Sequence, residues 1–598
     1  MMQEIFQKYK SKLNATSKEK SSIWEKIESE ITPRSRLQLK PFILGLSLFL
    51  IFFSSAIYLV HNYDRRTQKD DITTAELIDD WQYSQGESDD QSAKSTSFST
   101  LEGDSSLGYT PGGSNDINNF RANIYYEYLP IPSDLTYEGI LSEYYFKKES
   151  GEECKDLLCP YHSHAISKDP QSGEDVYYLG IGFNSNINEE DFQRKKLNLV
   201  VVLDISGSMS SSFDEYHYDN SDSSESESKM QIAAESVNAL LDHLNPDDRF
   251  GMVLFNNSAY SAKPLNKVEE TDIEAIKRHI LEINANGGTN IEAGLSEATE
   301  LFQNHLEENE EYENRIIFLT DAMPNTGDTT VPRFLEIIRD NASNKIYTTA
   351  IGIGVDFQTE LIVDIMNEPG TNYYSVHSSE DFRARLDDNF EYMVSPIIFD
   401  LDFEFHSNTF KIDGIYGSPT SDIHNNKVME IKTLFPSETS GDESKGSIIL
   451  MQLSKINTES TTWDIEFELN YKDRNDNSYQ NEIKIDDLLR NEEFYDNLSI
   501  RKAILFSRYV NLLYNWMYNE WVDTPEYPIF DCTDTILPPG IPGGEHYWER
   551  QSKPLSVSDN YKEIFESFLS HFSQESDIIG DENLKRESDL LEFLIEWE

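Results

Sequence analysis

From Leu197 onward the chain alternates two hydrophobic patterns. Short unbroken apolar runs, "LNLVVVLDI", "RFGMVLFN", "NRIIFLTDA" and "KIYTTAIGIG", have the length and β-branched content of buried strands. Between them, "KMQIAAESVNALLDHL", "DIEAIKRHILEI", "NIEAGLSEATELFQNHL" and "VPRFLEIIRDNA" repeat apolar residues at helical spacing. "QTELIVDIMNE", "NYYSV" and "SEDFRARLDDNFEYMV" continue the series. Strand and helix taking turns over residues 196–395 predict an α/β fold, a doubly wound and mostly parallel sheet. The period changes after Pro396. "IIFDLDFEFHS", "GSIILMQLS" and "TTWDIEFELNYKD" alternate apolar and polar positions, as half-buried antiparallel strands do. A β-rich domain is therefore expected over 396–485. "SIRKAILFSRYVNLLYNWM", "YKEIFESFLSHF" and "ESDLLEFLIEW" then predict a helical C-terminal region, 486–598.

The first part of the chain reads differently. "PFILGLSLFLIFFSSAIYLV", Pro41 to Val60, is twenty residues without a charge, the length a helix needs to cross a bilayer. It predicts a single transmembrane helix, 41–60, behind a basic head, 1–40. Its distance from the N-terminus and the lack of a small-residue cleavage pattern argue for a retained anchor over a signal peptide. Arg34, Arg36 and Lys40 precede it and Arg65, Arg66 and Lys69 follow it. With Lys18, Lys20 and Lys26 added, the balance places the N-terminus in the cytoplasm and the main body outside. Residues 61–116, rich in Ser, Gly and Asp, read as a disordered linker. Residues 117–195, mixing helical spacing with the strand "DVYYLGIGFNS", read as an α+β segment preceding the parallel sheet.

Charge narrows the partners. The 598 residues hold 50 basic against 108 acidic side chains, a formal net charge of −58, which disfavours nucleic acid and anionic lipid headgroups. Three cysteines cannot build a disulfide scaffold.

Ligands of doubly wound sheets bind at the carboxyl ends of the strands. Asp204, Ser206 and Ser208 follow the first strand, Thr289 lies in the "NGGTN" loop that opens a helix, and Asp321 ends "IIFLTD". Hydroxyls and carboxylates from three loops at one sheet edge make a site for a hard cation. Mg²⁺ suits it, because it takes oxygen ligands and keeps open positions; Ca²⁺ and Mn²⁺ are the alternatives. Little of the ion's charge would be neutralised, so it would grip an external carboxylate.

"DISGSMS", "GGTN" and "LTDA", in this order, resemble the metal-ion-dependent adhesion site of von Willebrand factor A (VWA) domains. The resemblance implies that Ser206, Ser208 and Thr289 coordinate the metal directly, with Asp204 and Asp321 acting mostly through water. Ala322 stands where the family often has glycine. The wider layout is similar to membrane-attached bacterial VWA proteins, some labelled Ca-activated chloride channel homologues. That label implies no pore, since one span cannot enclose one.

Two segments keep open readings. The acidic insertion 211–228 reads either as a solvated loop or as a specificity loop beside the metal, and it lacks EF-hand spacing. "ECKDLLCPYHSH" offers Cys154, Cys159, His162 and His164: a local disulfide, free thiols or a metal site. No P-loop, HExxH or GxSxG motif occurs, and "GIGVDF" lacks the third glycine of a dinucleotide fingerprint, so an enzyme is not expected. The expected function is a membrane-anchored module that binds a divalent cation and uses it to engage an acidic group of a protein partner. The alternative is a single-pass signalling or structural protein whose metal site only braces the sheet. Oligomeric state and partner identity are not encoded in any motif.

Overall fold

The computed structural model describes residues 77–84, 107–111, 117–148, 154–170, 173–187, 192–213, 227–308, 310–321, 331–354, 368–376, 390–418, 427–446, 448–457, 459–490, 492–522 and 553–597. The basic head, the span 41–60, the core of the acidic insertion and Ala322 lie outside them. Among the described residues no helix is long and apolar enough to cross a membrane.

The strand Lys196–Asp204 sits inside a six-stranded sheet. Tyr312–Thr320, Ile346–Ile353 and Asn372–Val376 lie in turn on one side of it, all parallel. Arg249–Phe255 pairs parallel on the other side, and Ala259–Lys267 closes that edge antiparallel. Successive strand residues point to opposite faces, so one strand feeds two cores. Leu199, Val201 and Leu203 pack with Met230, Val237 and Ile276 from the helices Lys229–Leu241 and Ile273–Leu281. Val200 and Val202 pack with Leu295, Ala298, Phe334 and Ile338 from the helices Ile291–Leu301 and Val331–Ser343. Burial on both faces is why these strands read as unbroken apolar runs.

The antiparallel edge was not anticipated from the sequence. Pro264 lies within it, and proline is tolerated only where no ladder hydrogen bond is lost, at a sheet edge. Residues 77–84, from the stretch read as linker, pack on that edge. Gln82 N–H donates to the Ala262 carbonyl, Trp81 stacks on His279 at 5.5 Å, and Asp80 pairs with buried Lys263 at 3.1 Å. Gly108–Pro111, from the same stretch, adds a strand to the Lys427–Ser437 strand. The reading of 61–116 as disordered is therefore corrected for these two pieces, whose few apolar residues have docking partners elsewhere.

The stretches separated in sequence as 117–195, 396–485 and 486–598 share cores. One antiparallel sheet orders Gly108–Pro111, Lys427–Ser437, Ile398–Ser407, Ile465–Asp473 and Ser478–Ile485. A second orders Phe410–Tyr416, Ile448–Lys455, Asp175–Asn184, Cys159–Lys168 and Phe494–Tyr495. Leu179, Ile181 and Met451 of the second meet Phe403, Phe467 and Leu469 of the first in one core, with Trp463 beside them. Strands on either side of the parallel-sheet domain thus build one sandwich. The helices Leu498–Val522, Asp559–Ile579 and Lys585–Glu596 share a further core with Phe120, Ile140 and Phe146. The cations that interrupt the first of these helices are paired: Arg501 with Glu575 at 2.7 Å, Lys502 with Asp581 at 2.6 Å.

Candidate functional site

The order of strands reverses on either side of Lys196–Asp204, whose sequence neighbour Arg249–Phe255 lies one way and Tyr312–Thr320 the other. That makes a switch point at the carboxyl ends of Lys196–Asp204 and Tyr312–Thr320, where Asp204 and Asp321 emerge. Both are buried, at 0% exposure.

Asp204 is held on both oxygens. Oδ1 accepts from the Ser206 backbone N–H at 2.8 Å and Oδ2 accepts from the Thr320 hydroxyl at 2.6 Å. Asp204 is thereby hydrogen-bonded through both of its carboxylate oxygens. The turn it fixes carries Ser206 and Ser208 into the 3₁₀ segment Gly207–Ser210, with their hydroxyl oxygens 3.1 Å apart. Burial and the nearby Asp321 carboxylate push Asp204 up to about 7. Two acidic groups crowded in a dry place are an arrangement that a cation relieves.

Thr289 arrives from a distant loop strapped to this turn. Gly207 N–H donates to the Gly287 carbonyl at 2.9 Å, and Asn286 N–H to the Ile205 carbonyl at 2.7 Å. Gly288 N–H donates to Asn257 Oδ1 at 2.9 Å, and Asn256 Nδ2 donates to the Asn286 carbonyl at 3.1 Å. Asn290 then caps the following helix, accepting from Ala293 N–H at 3.1 Å. Gly287 has φ +86°, in the left-handed region, and a Cβ there would come within 3.1 Å of Asn257 Nδ2. Gly287→Ala is expected to cost about 1–2 kcal/mol from backbone strain and to weaken Mg²⁺ affinity by displacing Thr289. Denaturant unfolding with and without Mg²⁺ checks both.

The structure thus brings Asp204, Ser206, Ser208 and Thr289 together through these hydrogen-bonded loops, and Asp321 joins them from the adjacent strand end. It adds two residues that sequence reading passed over. Thr320 anchors Asp204. Lys229, fully buried at the start of its helix, places Nζ 3.4 Å from Asp321 Oδ2. A lysine on the apolar face of "KMQIAAESV" was the available signal. The acidic insertion closes on itself: Ser212 bridges Ser228 antiparallel, and Lys229 N–H donates to the Ser211 carbonyl at 3.0 Å.

The donor set suits a hard cation: hydroxyl oxygens that can converge without repelling one another, backed by acidic groups that repel each other when none is bound.

Residues 198–388 match the family "von Willebrand factor type A domain". Inter-alpha-trypsin inhibitor heavy chain H4 of Homo sapiens is 26% identical over 215 residues, 35% of this chain and 21% of that protein. Heavy chain H2 of Mus musculus is 24% identical over 244 residues, 40% of this chain and 24% of that protein. The chain spans about a fifth of the length of these curated relatives. Among solved structures, a von Willebrand factor type A protein from Catenulispora acidiphila aligns with TM-score 0.37 and 13% identity, over 61% of this chain and 81% of that one. The parallel-sheet region of this chain is the part that is similar to von Willebrand factor type A domains, over residues 198–388.

Proposed function

We propose that the chain is a membrane-anchored interaction protein whose VWA domain binds a divalent cation, Mg²⁺ foremost, and through it an acidic group of a protein partner. Ser206, Ser208 and Thr289 would hold the ion directly; Asp204 and Asp321 would act through water. When bound, the ion supplies an electrophilic centre with an open position for a partner's carboxylate oxygen. The chain's own residues do the rest. Asp204 orients the serine turn, the Asn256–Asn257 loop holds the Thr289 loop against it, and Lys229 offsets part of the acidic charge behind the site.

The observation that carries this reading is the pair of adjacent serine hydroxyls above a carboxylate already occupied on both oxygens. Anchoring rests on the uncharged run Pro41–Val60. The main body would face outside, and nucleic acid would be excluded by charge. Calorimetric titration of the detergent-solubilised chain tests it. One Mg²⁺ per chain is expected, with at least a tenfold loss of affinity in Ser206→Ala and Ser208→Ala. Equal Mg²⁺ affinity in all three proteins would sink the assignment.

The bracing alternative keeps one observation: Asp204 already ties the serine turn to Thr320 without an ion. It predicts Mg²⁺ binding without any Mg²⁺-dependent partner.

A further inference from the structure

Of the open readings of "ECKDLLCPYHSH", the structure takes the local disulfide for its cysteines. Cys154 and Cys159 form a disulfide, so neither thiolate is available as a ligand. His162 and His164 lie two apart on the strand Cys159–Lys168 and so share one face. Asp487, more than three hundred residues on, meets them there. Its Oδ2 lies 3.2 Å from His162 Nε2, and the donor atoms of all three residues lie within 4.8 Å of one another.

We propose that His162, His164 and Asp487 form a second metal site, for a borderline transition ion of the Zn²⁺ type. Two imidazole nitrogens and one carboxylate are the donors Zn²⁺ favours and Mg²⁺ does not. Ligands at zinc distances in a tetrahedron stand roughly 3.3 Å apart. The His162–Asp487 pair already has that spacing, and the third donor, within 4.8 Å of both, needs to close by at most about 1.5 Å.

His164 is built as a ligand rather than as a surface ion pair. Its ring is wedged edge-on between Trp463, at 4.8 Å, and Phe494, at 5.5 Å. Nδ1 lies 2.7 Å from Asp496 Oδ2, which also accepts the His164 backbone N–H at 2.8 Å. With Nδ1 turned towards Asp496, Nε2 is the nitrogen that would take the metal, the arrangement in which a carboxylate stands behind a metal-bound histidine. The His162 ring lies nearly parallel to that of His164, at 19° and 6.2 Å between centroids. The three donors line an open cavity of about 1030 Å³, so the fourth position would face solvent and take water or a donor group from another molecule. The disulfide lines the same cavity and tethers the segment that leads into the histidine strand.

The test is calorimetric titration of Zn²⁺ into the detergent-solubilised chain with Mg²⁺ saturating. One Zn²⁺ per chain is expected. His162→Ala and Asp487→Asn should each weaken it at least a hundredfold; both side chains are partly exposed, so neither variant should alter the melting temperature in EDTA. Asp496→Asn should weaken it about ten- to hundredfold through His164. Absence of Zn²⁺ binding overturns the proposal, as does affinity that survives both His162→Ala and Asp487→Asn. Zn²⁺ binding lost in Ser206→Ala but kept in His162→Ala would place the ion at the VWA site and overturn it equally.

Discussion

Glu587→Ala is expected to destabilise the protein by about 3–5 kcal/mol, the usual cost of removing one partner from a buried ion pair. Glu587 is fully buried in the core shared by residues 117–146 and the C-terminal helices. Its Oε1 accepts from Arg121 at 2.5 Å and from Tyr144 at 2.8 Å, and its Oε2 accepts from Tyr509 at 2.7 Å. Arg121, itself buried, also reaches Glu143 at 2.6 Å. Truncation leaves Arg121 with half its counter-charge and strips two tyrosine hydroxyls of their acceptor. Burial alone would raise the Glu587 carboxyl; Arg121 and Arg586 outweigh it and hold it below its ordinary value of 4.5. The sign follows: the folded state binds this proton less readily than the unfolded chain. The stabilisation is complete above pH 4.5 and is lost as pH falls through the lower folded value. Chemical unfolding across the acid range should show a shallower decline in Glu587→Gln than in wild type. Equal stability of Glu587→Ala and wild type at neutral pH would show that the network contributes nothing.

Asp204→Asn is expected to abolish stabilisation by Mg²⁺ while leaving the metal-free protein as stable as wild type, or more so. Asparagine keeps the acceptor for Ser206 N–H and presents an amide to the Thr320 hydroxyl, which can accept as readily as donate. It removes the charge that Asp321 repels. With metal the balance reverses. A ligand at a hundredfold excess over its Kd stabilises by about 2.7 kcal/mol, and the variant forgoes that gain. Thermal melting in Mg²⁺ and in EDTA measures both halves. A Mg²⁺ shift retained in Asp204→Asn would remove Asp204 from the site.

The parallel sheet, and the strand ends that carry the candidate site residues, were readable for one physical reason. A strand buried on both faces must be a continuous apolar run, and polar residues that end such a run are exceptions visible in a single sequence. "LNLVVVLDISGSM" shows both at once. The sandwich was not readable, because period-two alternation in "TTWDIEFELNYKD" reports a half-buried strand but not its partner. The core it completes includes Leu179 and Ile181, nearly three hundred residues earlier. Residues 77–84 were misread for a related reason: eight residues hold too few apolar groups to suggest a core, yet they need only cover an existing edge. Lys229 and Glu587 show the same limit for charge. Composition treats both as surface residues, and only their partners explain their burial.

In the proposed function, a cation held by Ser206, Ser208 and Thr289 is the point of contact with a partner. Affinity capture by the detergent-solubilised full chain, run in parallel with Mg²⁺ and with EDTA and repeated with Ser208→Ala, tests it most directly. The account predicts a protein retained in Mg²⁺, released by EDTA and absent from the Ser208→Ala lane. The same protein retained equally in all three would contradict it.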